Sequence, residues 1–271
     1  MAGLEPGIAY YGTDSKVIEN LLKKSNEKPI FAFIHSTNNL YKMIKNGLPV
    51  KHIFSIEGIP PYVLVGKKGF KLNFLDPKAH QFKGIRIAVP SYWYKEDLPL
   101  KAALAAKFSL VDAGDPRYIP KFVTAKNSDL GAVTAAALSA AMAAGVVPVA
   151  PLSKLIPNYL SSSIMVNANE IYQNKKEIKA FVSAMFRASE FFYNNKSQSV
   201  EIIAEQLRLH PAKISKKHVE LMYDTYKTYQ FFSKTGEVTE SEIKPWQNMI
   251  AIDYNKAVDM SFVNEIKENG P

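Results

Sequence analysis

The 271-residue sequence contains no cysteine. This absence excludes disulfide bonds, metal sites built on thiolates and catalysis by a cysteine nucleophile. The sequence also lacks any run of about 18 apolar residues, the length that a transmembrane helix requires. Its first residues, Met1-Ala2-Gly3-Leu4-Glu5-Pro6, contain neither the basic nor the apolar region of a signal peptide. We therefore expect either an intracellular protein or an exported one whose leader is not part of this sequence.

The sequence also lacks the common motifs of nucleotide binding, hydrolysis and metal binding. No strand is followed by GxGxxG, and neither a GxxxxGK[ST] phosphate loop nor a GxSxG nucleophile elbow occurs. The five histidines show no HxxxH or HExxH spacing. We therefore predict no catalytic residue, no metal site and no cofactor.

The charge is unbalanced, with 34 basic against 25 acidic residues and a net charge of +9. Such an excess is typical of proteins that bind nucleic acid, an anionic membrane or an anionic small ligand. It also occurs in proteins whose surface is simply rich in lysine. The basic residues are scattered, and no helix-turn-helix segment or basic-aromatic patch is present. We therefore expect no nucleic-acid partner.

The most informative stretch runs from Ile30 to Leu40. Its first five residues are apolar and rich in aromatic and branched types, which predicts a buried strand. Small polar residues follow, and Ser36 or Thr37 is expected to cap the next helix. Open α/β sheets bind ligands at such strand-to-helix turns, where backbone N–H groups and hydroxyls are available.

Strand and helix patterns alternate through the rest of the chain. Further strands are predicted at Gly7–Tyr11, Val50–Ile56, Tyr62–Val65, Gly84–Val89, Gly145–Val149 and Ser163–Asn167. From residue 171 onward the pattern is helical, and Thr239 to Glu242 forms a capping-box candidate. This alternation predicts an α/β fold with mainly parallel sheets and a helical C-terminal tail.

The composition suggests two lobes. Charged residues become sparse and alanine frequent after about Gly84, and the earlier pattern returns near Ser163. We therefore predict a first lobe of residues 1–83 plus 162–271 and a second lobe of residues 84–161.

Several segments resemble one known family. Gly58-Ile59-Pro60-Pro61-Tyr62-Val63-Leu64-Val65 and Phe82-Lys83-Gly84-Ile85-Arg86-Ile87-Ala88-Val89-Pro90-Ser91 are similar to its G-x-x-P-Y-x-L-V and L-K-G-K-x-I-A-V-P-x-G-S segments. Phe33-Ile34-His35-Ser36-Thr37 resembles its GF-x-G-S-T loop, and the helices from Glu177 to Leu209 resemble those of its tail. The family is that of the type II periplasmic substrate-binding proteins of ABC importers, in the branch that includes sulfonate, nitrate and thiamine-precursor binders.

The resemblance implies a two-lobed clamshell that captures a small ligand between its lobes and closes by a hinge motion. The ligand would be anionic or pyrimidine-like, and the partner of the closed protein would be an ABC permease in the membrane. The protein would then be a monomeric, non-enzymatic binding protein. It would lie in the periplasm or outside the cell, either free or attached to the membrane by an anchor.

The resemblance also implies the ligand-binding residues. They follow strand ends in both lobes and are Thr13, Asp14, Ser36, Thr37, Asn38, Ser91 and Tyr92. His35 stands where the family commonly has glycine. The hydroxyl residues among these are also good helix caps, and the aromatic run Tyr92-Trp93-Tyr94 suits either a flat ligand or packing of the lobe surface.

Two alternatives remain open. One is an enzyme on the same clamshell, similar to thiamine-pyrimidine synthases but without their cysteine motif, with Asp14 or His35 as acid or base. The other is a degenerate relative that no longer binds ligand. In the family a strand and a helix precede the equivalent of Gly3-Leu4-Glu5, so the first lobe is expected to lack one strand and one ligand loop.

Overall fold

A computed structural model describes residues 14–23, 29–70, 82–94, 96–208 and 214–270. The chain divides into two compact units. Unit 1 consists of Met1–Gly58, Leu160–Glu190 and Ser233–Pro271, and unit 2 of Ile59–Tyr159 and Phe191–Phe232. These boundaries differ from the predicted lobes, because residues 59–83 and 191–232 belong to unit 2. The strand predicted at Gly7–Tyr11 lies outside the described residues.

The described helices and strands follow one another in an α/β order. The helices are α1 (Asp14–Leu21), α2 (Asn38–Lys45), α3 (Leu98–Ala105), α4 (Ile119–Thr124), α5 (Leu138–Ala143), α6 (Lys175–Asn194), α7 (Lys196–Arg208), α8 (Lys216–Tyr229), α9 (Glu240–Ile250), α10 (Tyr254–Ala257) and α11 (Ser261–Asn269). The strands are β1 (Phe31–His35), β2 (Val50–Glu57), β3 (Tyr62–Gly66), β4 (Arg86–Val89), β5 (Ser109–Asp112), β6 (Leu130–Thr134), β7 (Val147–Pro151) and β8 (Ser162–Asn167).

Unit 1 contains a three-stranded sheet in the order β1-β8-β2. Both neighbours run antiparallel to β8, and Ser162 at its start lies opposite His35 of β1 and Glu57 of β2. Apolar side chains of the sheet pack against α6 and α11 in a core that includes Phe54, Ile164, Val182 and Phe262. Helices α2 and α9 pack against each other. The ends of β1 and β2 and the start of β8 therefore meet at one edge of the sheet.

Unit 2 contains a five-stranded sheet in the order β5-β4-β6-β3-β7. Strand β4 is parallel to β5 and β6, whereas β3 is antiparallel to β6 and β7. Helix α4 covers β4 and β6, and its Ile119 and Val123 are fully buried. Aromatic residues of α6, α8 and the segment after α8 form a second cluster around Phe192 and Tyr223.

The α/β class is confirmed, but the prediction of mainly parallel sheets is wrong. Four of the six ladders among the described strands are antiparallel. The chain leaves unit 1 after β2 and returns along β8, and it enters unit 2 along β3 and leaves after β7. In unit 1 the strand before the chain leaves, β2, is a neighbour of the strand on which it returns, β8. In unit 2 the first strand, β3, is likewise a neighbour of the last strand, β7. Each of these pairs is antiparallel.

Local sequence patterns predict most elements within a few residues. Strands β5 and β6 are the exceptions, since neither was predicted. In β6 two small residues, Gly131 and Ala132, interrupt the sequence Leu-Gly-Ala-Val-Thr and weaken the strand pattern. Glycine is required at position 131, since an added Cβ would overlap Ile119 Cγ2 and lie 3.2 Å from Val123 Cγ2. The close packing of α4 against the sheet thus requires glycine at position 131, and this glycine made the strand hard to predict from the sequence.

Replacing Gly131 by alanine should lower the free energy of unfolding by about 1–3 kcal/mol through overpacking. Chemical denaturation monitored by circular dichroism would measure the change. In an Ile119→Ala background, which removes the overlapping methyl group, the same replacement should cost less than 1 kcal/mol, roughly, because neighbouring sites do not add. Equal costs in both backgrounds would contradict this packing.

Candidate functional site

The predicted loop after β1 is buried and well ordered by hydrogen bonds. Thr37 caps α2, since its backbone is extended and its Oγ1 accepts a hydrogen bond from the Leu40 N–H at 3.2 Å. The Ser36 N–H donates to the Ser161 carbonyl at 2.8 Å, and the Ser36 Oγ lies 3.2 Å from the Tyr41 Oη. The helix-capping prediction is therefore confirmed for Thr37, while Ser36 contacts the first turn of the helix.

Asn38 follows them as the first residue of α2. It is only 6% exposed, so its amide group is buried at this sheet edge. A side-chain amide can both donate and accept hydrogen bonds. Of the other first-lobe predictions, Asp14 begins α1, and Thr13 lies outside the described residues.

A carboxylate lies at the same edge, at the end of β2. Glu57 is 6% exposed, and its Oε2 accepts a hydrogen bond from the Ser162 hydroxyl at 2.7 Å. Its backbone carbonyl accepts from the Ser161 N–H at 2.8 Å. Since Ser161 also accepts from Ser36, backbone hydrogen bonds connect the β1 loop to the end of β2.

A second carboxylate reaches this edge from α9. Glu242 completes a capping box with Thr239, whose N–H donates to Oε2 at 2.9 Å. Its backbone carbonyl accepts from the Leu160 N–H at 3.1 Å, and its Oε1 lies where a side chain of Gly58 would be. Burial raises the pKa of Glu242 to about 7, against the opposing hydrogen bonds from Thr239 and with a smaller contribution from Glu237. This carboxyl therefore titrates near neutral pH.

A group of buried polar and aromatic residues continues from this edge into unit 1. Tyr41 stacks on Trp246 with 4.7 Å between ring centroids, and its ring is 5.6 Å from that of His52. His52 Nδ1 lies 2.6 Å from the Ser163 Oγ. Burial lowers the pKa of His52 to about 3 and raises that of Tyr41. Both groups are thus neutral at physiological pH.

The His52–Ser163 pair superficially resembles a base and its nucleophile. His52 and Ser163 are both fully buried, however, so no substrate reaches them. The buried atoms of unit 1 without a hydrogen-bond partner among the described residues include His52 Nε2 and Ser55 Oγ. We therefore assign this pair to the core of the unit rather than to catalysis.

In unit 2, Ser91 begins a 3-10 turn directly after β4. Its hydroxyl donates to Asp112 Oδ1 at 2.5 Å, and the Gly114 N–H donates to the same oxygen at 2.8 Å. These hydrogen bonds lower the pKa of Asp112, that from Ser91 having the larger effect. The Ser91 hydroxyl therefore donates its hydrogen bond to an ionised carboxylate, that of Asp112.

Tyr92 belongs to a hydrogen-bonded aromatic group in unit 2. Its Oη lies 2.6 Å from the Tyr62 Oη, which accepts a hydrogen bond from the Trp93 indole N–H at 3.2 Å. Trp93 is fully buried and packs edge-on against Tyr62, so it belongs to the core. Tyr92 is half-buried, and Tyr94 lies beneath the Lys101 ammonium group at 4.2 Å. Of the predicted aromatic run, Trp93 is thus excluded from ligand stacking.

The described predictions are divided between the two units. Ser36, Thr37 and Asn38 share one sheet edge in unit 1, whereas Ser91 and Tyr92 follow β4 in unit 2. The sequence interpretation missed Glu57 and Glu242, the two carboxylates at this edge of unit 1. A signal for Glu242 existed in the predicted capping box, but nothing local indicated that this helix start lies beside the end of β2.

Other kinds of site are not found in the described ranges. They contain no group of histidine, aspartate and glutamate suited to a metal ion, and no helix with the length and hydropathy to span a membrane. A cavity of about 420 Å³ on unit 1 is lined by residues that include Lys51, Tyr172, Lys175 and Asp259. It lies at the opposite ends of β2 and β8 from the predicted loop.

No protein-family model matches the sequence, and no curated protein matches it either. Solved structures do resemble the fold. A periplasmic sulfonate-binding protein, SsuA, of a sulfonate ABC transporter from Methylobacillus flagellatus KT has a TM-score of 0.61 and 12% identity over 88% of this chain and 75% of its own. The ligand-binding component of an ABC-type import system from Staphylococcus aureus, with zinc bound, has a TM-score of 0.55 and 19% identity over 85% and 79%.

An enzyme also shares the fold. The desulfurization enzyme DszB has a TM-score of 0.56 and 11% identity over 89% of this chain and 86% of its own. At these identities the likeness concerns the fold alone. The chain has an α/β fold that matches periplasmic-binding-protein-like structures.

The raised pKa of Glu242 leads to a prediction on stability. Between pH 4.5 and about 7 the folded protein holds a proton that the unfolded chain has released, so this group lowers stability as the pH rises. The difference in Tm between Glu242→Gln and the wild type should therefore become more positive from pH 5 to pH 8, as measured by differential scanning fluorimetry.

Glu265→Gln is the matched control. Glu265 pairs with Lys179, and this hydrogen bond lowers its pKa, so its contribution is already complete at pH 5. Its difference in Tm should stay constant between pH 5 and pH 8. A constant difference for Glu242→Gln as well would contradict the burial of that carboxyl.

Proposed function

We infer that the protein is a solute-binding protein that captures a small ligand for ABC-type import. The observation that carries this proposal is the loop after β1, where Ser36, Thr37 and the buried Asn38 converge at one edge of the unit 1 sheet. Buried convergent polar groups beside a rigid sheet are typical of small-molecule sites. Similar folds that serve as binding components of ABC importers, from Methylobacillus flagellatus and Staphylococcus aureus, support the proposal.

The ligand would meet hydroxyl, amide and carboxylate groups on unit 1. Because the loop residues are already fixed by hydrogen bonds, little ordering is needed when the ligand binds. The partner would be an ABC permease in the membrane, and the protein would act as a monomer in the periplasm or outside the cell. The anionic or pyrimidine-like ligand implied by the sequence resemblance belongs to this proposal as a starting point for screening.

Binding is favoured over catalysis. The exposed His35 contacts the ring edge of Phe33, and the buried His52 is held neutral, so neither is arranged as a general base.

A thermal-shift screen with sulfonates, nitrate, phosphonates, pyrimidines and organic amines tests the binding role. A ligand that binds only the folded protein at 100 times its Kd stabilises it by about 2.7 kcal/mol, which is easily detected. At least one of these classes should raise the Tm without being converted, as checked by NMR of the ligand. Turnover of the ligand, or no shift with any class, would contradict the proposal.

The double variant Ser36→Ala/Thr37→Ala tests the location of the site. It should weaken binding of the ligand found in the screen at least tenfold, while the loss of one cap and one hydroxyl contact costs only about 1–2 kcal/mol of stability. Isothermal titration calorimetry and denaturant unfolding measure the two effects separately.

Ser215→Ala provides the matched control, because Ser215 caps α8 in unit 2 through the His218 N–H. It should lower stability by about 1 kcal/mol and leave the affinity unchanged. A double variant that binds as well as the wild type would place the ligand elsewhere.

A further inference from the structure

We propose that the cavity of about 420 Å³ on unit 1 binds a small zwitterion, an α-amino acid with an aromatic side chain. This cavity is separate from the loop after β1, since it lies at the opposite ends of β2 and β8. The inference therefore goes beyond the proposed solute-binding function and does not depend on it. It follows from the charges of both signs and the apolar residues that line this one cavity.

The walls of the cavity come from three parts of unit 1, namely β2, the segment from β8 to α6 and the start of α11. Backbone hydrogen bonds hold these parts together. The Ala168 N–H donates to the Pro49 carbonyl at 2.8 Å, and the Asp259 N–H donates to the His52 carbonyl at 2.9 Å. The volume lies within the range of roughly 300–1,000 Å³ that is typical of small-molecule pockets. A ligand would therefore enter a preformed cavity, which reduces the cost of ordering.

Two lysines supply the positive side of the cavity. The Lys51 ammonium group is held in place, since it donates to the Asn255 carbonyl at 3.0 Å. An ammonium group has three N–H donors, so this hydrogen bond leaves donors for a ligand. The Lys175 side chain is exposed at the start of α6, and the nearby Glu265 carboxylate is paired with Lys179 instead. Both ammonium groups can therefore bind a carboxylate that enters the cavity.

Asp259 supplies the negative side. Its Oδ1 accepts a hydrogen bond from the Ser261 N–H at 3.0 Å. A carboxylate has about four acceptor positions, so this hydrogen bond leaves room for a protonated amine. A simple anion would be repelled by Asp259 and a simple cation by the lysines, whereas a zwitterion satisfies both.

The surroundings of the cavity do not favour a solute of one sign. Apart from the Lys179–Glu265 pair, the charged residues that flank it on the same segments include both signs, namely Glu170, Lys176, Glu177, Asp253 and Lys256. A neutral zwitterion therefore fits this environment better than a solute with a net charge.

The apolar lining indicates the side chain of the ligand. Ile171 and Phe262 line the cavity and belong to the hydrophobic core of unit 1 or pack against it. Tyr172 also lines the cavity, yet it is 91% exposed. An exposed ring beside a cavity offers its face to a second ring, and aromatic pairs favour offset-stacked or edge-on contacts. We therefore expect an aromatic side chain to pack against Tyr172.

The test is titration calorimetry on the full chain with three probes that differ by one group each. L-phenylalanine has both charged groups, 3-phenylpropionate lacks the amine, and 2-phenylethylamine lacks the carboxylate. L-phenylalanine should bind at least tenfold more tightly than either of the other two. Absence of L-phenylalanine binding, or equal binding of a probe with a single charge, would overturn the proposal.

Variants of the lining locate the site. Asp259→Asn keeps an oxygen for the Ser261 N–H and should weaken L-phenylalanine binding at least tenfold. Lys175→Ala should weaken it at least fivefold, and Tyr172→Ala at least threefold. Lys176→Ala is the matched control, because this neighbouring lysine does not line the cavity, and it should leave the affinity unchanged.

The double variant Ser36→Ala/Thr37→Ala separates this cavity from the loop after β1, and it should bind L-phenylalanine as tightly as the wild type. Binding that is lost in the double variant but unchanged in Asp259→Asn and Lys175→Ala would place the amino acid at that loop and overturn the proposal. The solute-binding function is decided separately by the thermal-shift screen, so the two can fail independently.

Discussion

The pairing of β8 with both β1 and β2 is the constraint on which unit 1 depends. This strand returns from unit 2 and fills the centre of the sheet, and the residues just before it make the critical hydrogen bonds. Leu160 bonds to the Glu242 carbonyl, while Ser161 bonds to Glu57 and Ser36. Three segments that are distant in sequence are therefore held at one edge, and the polar groups of the candidate site are brought together by the backbone alone.

The polar groups at this edge differ in whether they have structural partners. Thr37 and Thr239 cap helices, and Ser162 satisfies the Glu57 carboxylate, so these side chains have structural partners. The Ser55 Oγ is buried without a partner in the described ranges, which lowers stability relative to a fully satisfied core. The binding role inferred for unit 1 rests instead on the buried loop of Ser36, Thr37 and Asn38.

The sequence predicted local structure better than long-range structure. The apolar run before Ser36 and the capping box at Thr239 depend on neighbouring residues, and the strand and the cap were both read correctly. The strand is only half-buried rather than buried, since Phe33 is 50% exposed. Strand direction depends on where the chain returns after an excursion of about a hundred residues, and no local pattern encodes it. The contribution of Glu242 was missed for the same reason, because its position beside Gly58 arises only when α9 packs near the returning strand.

The central position of β8 also has a consequence for the order of folding during synthesis. All five strands of the unit 2 sheet are contiguous in sequence, so they can pair as soon as residue 151 has left the ribosome. Strands β1 and β2 are synthesised earlier, but both pair with β8, which is synthesised later. Their backbone hydrogen-bonding groups therefore stay unpaired until residue 167 has left the ribosome. Open edges of this kind favour pairing with other chains. A nascent chain that stalls between these two points therefore carries a paired unit 2 sheet, still without residues 191–232 of that unit, and an aggregation-prone first unit.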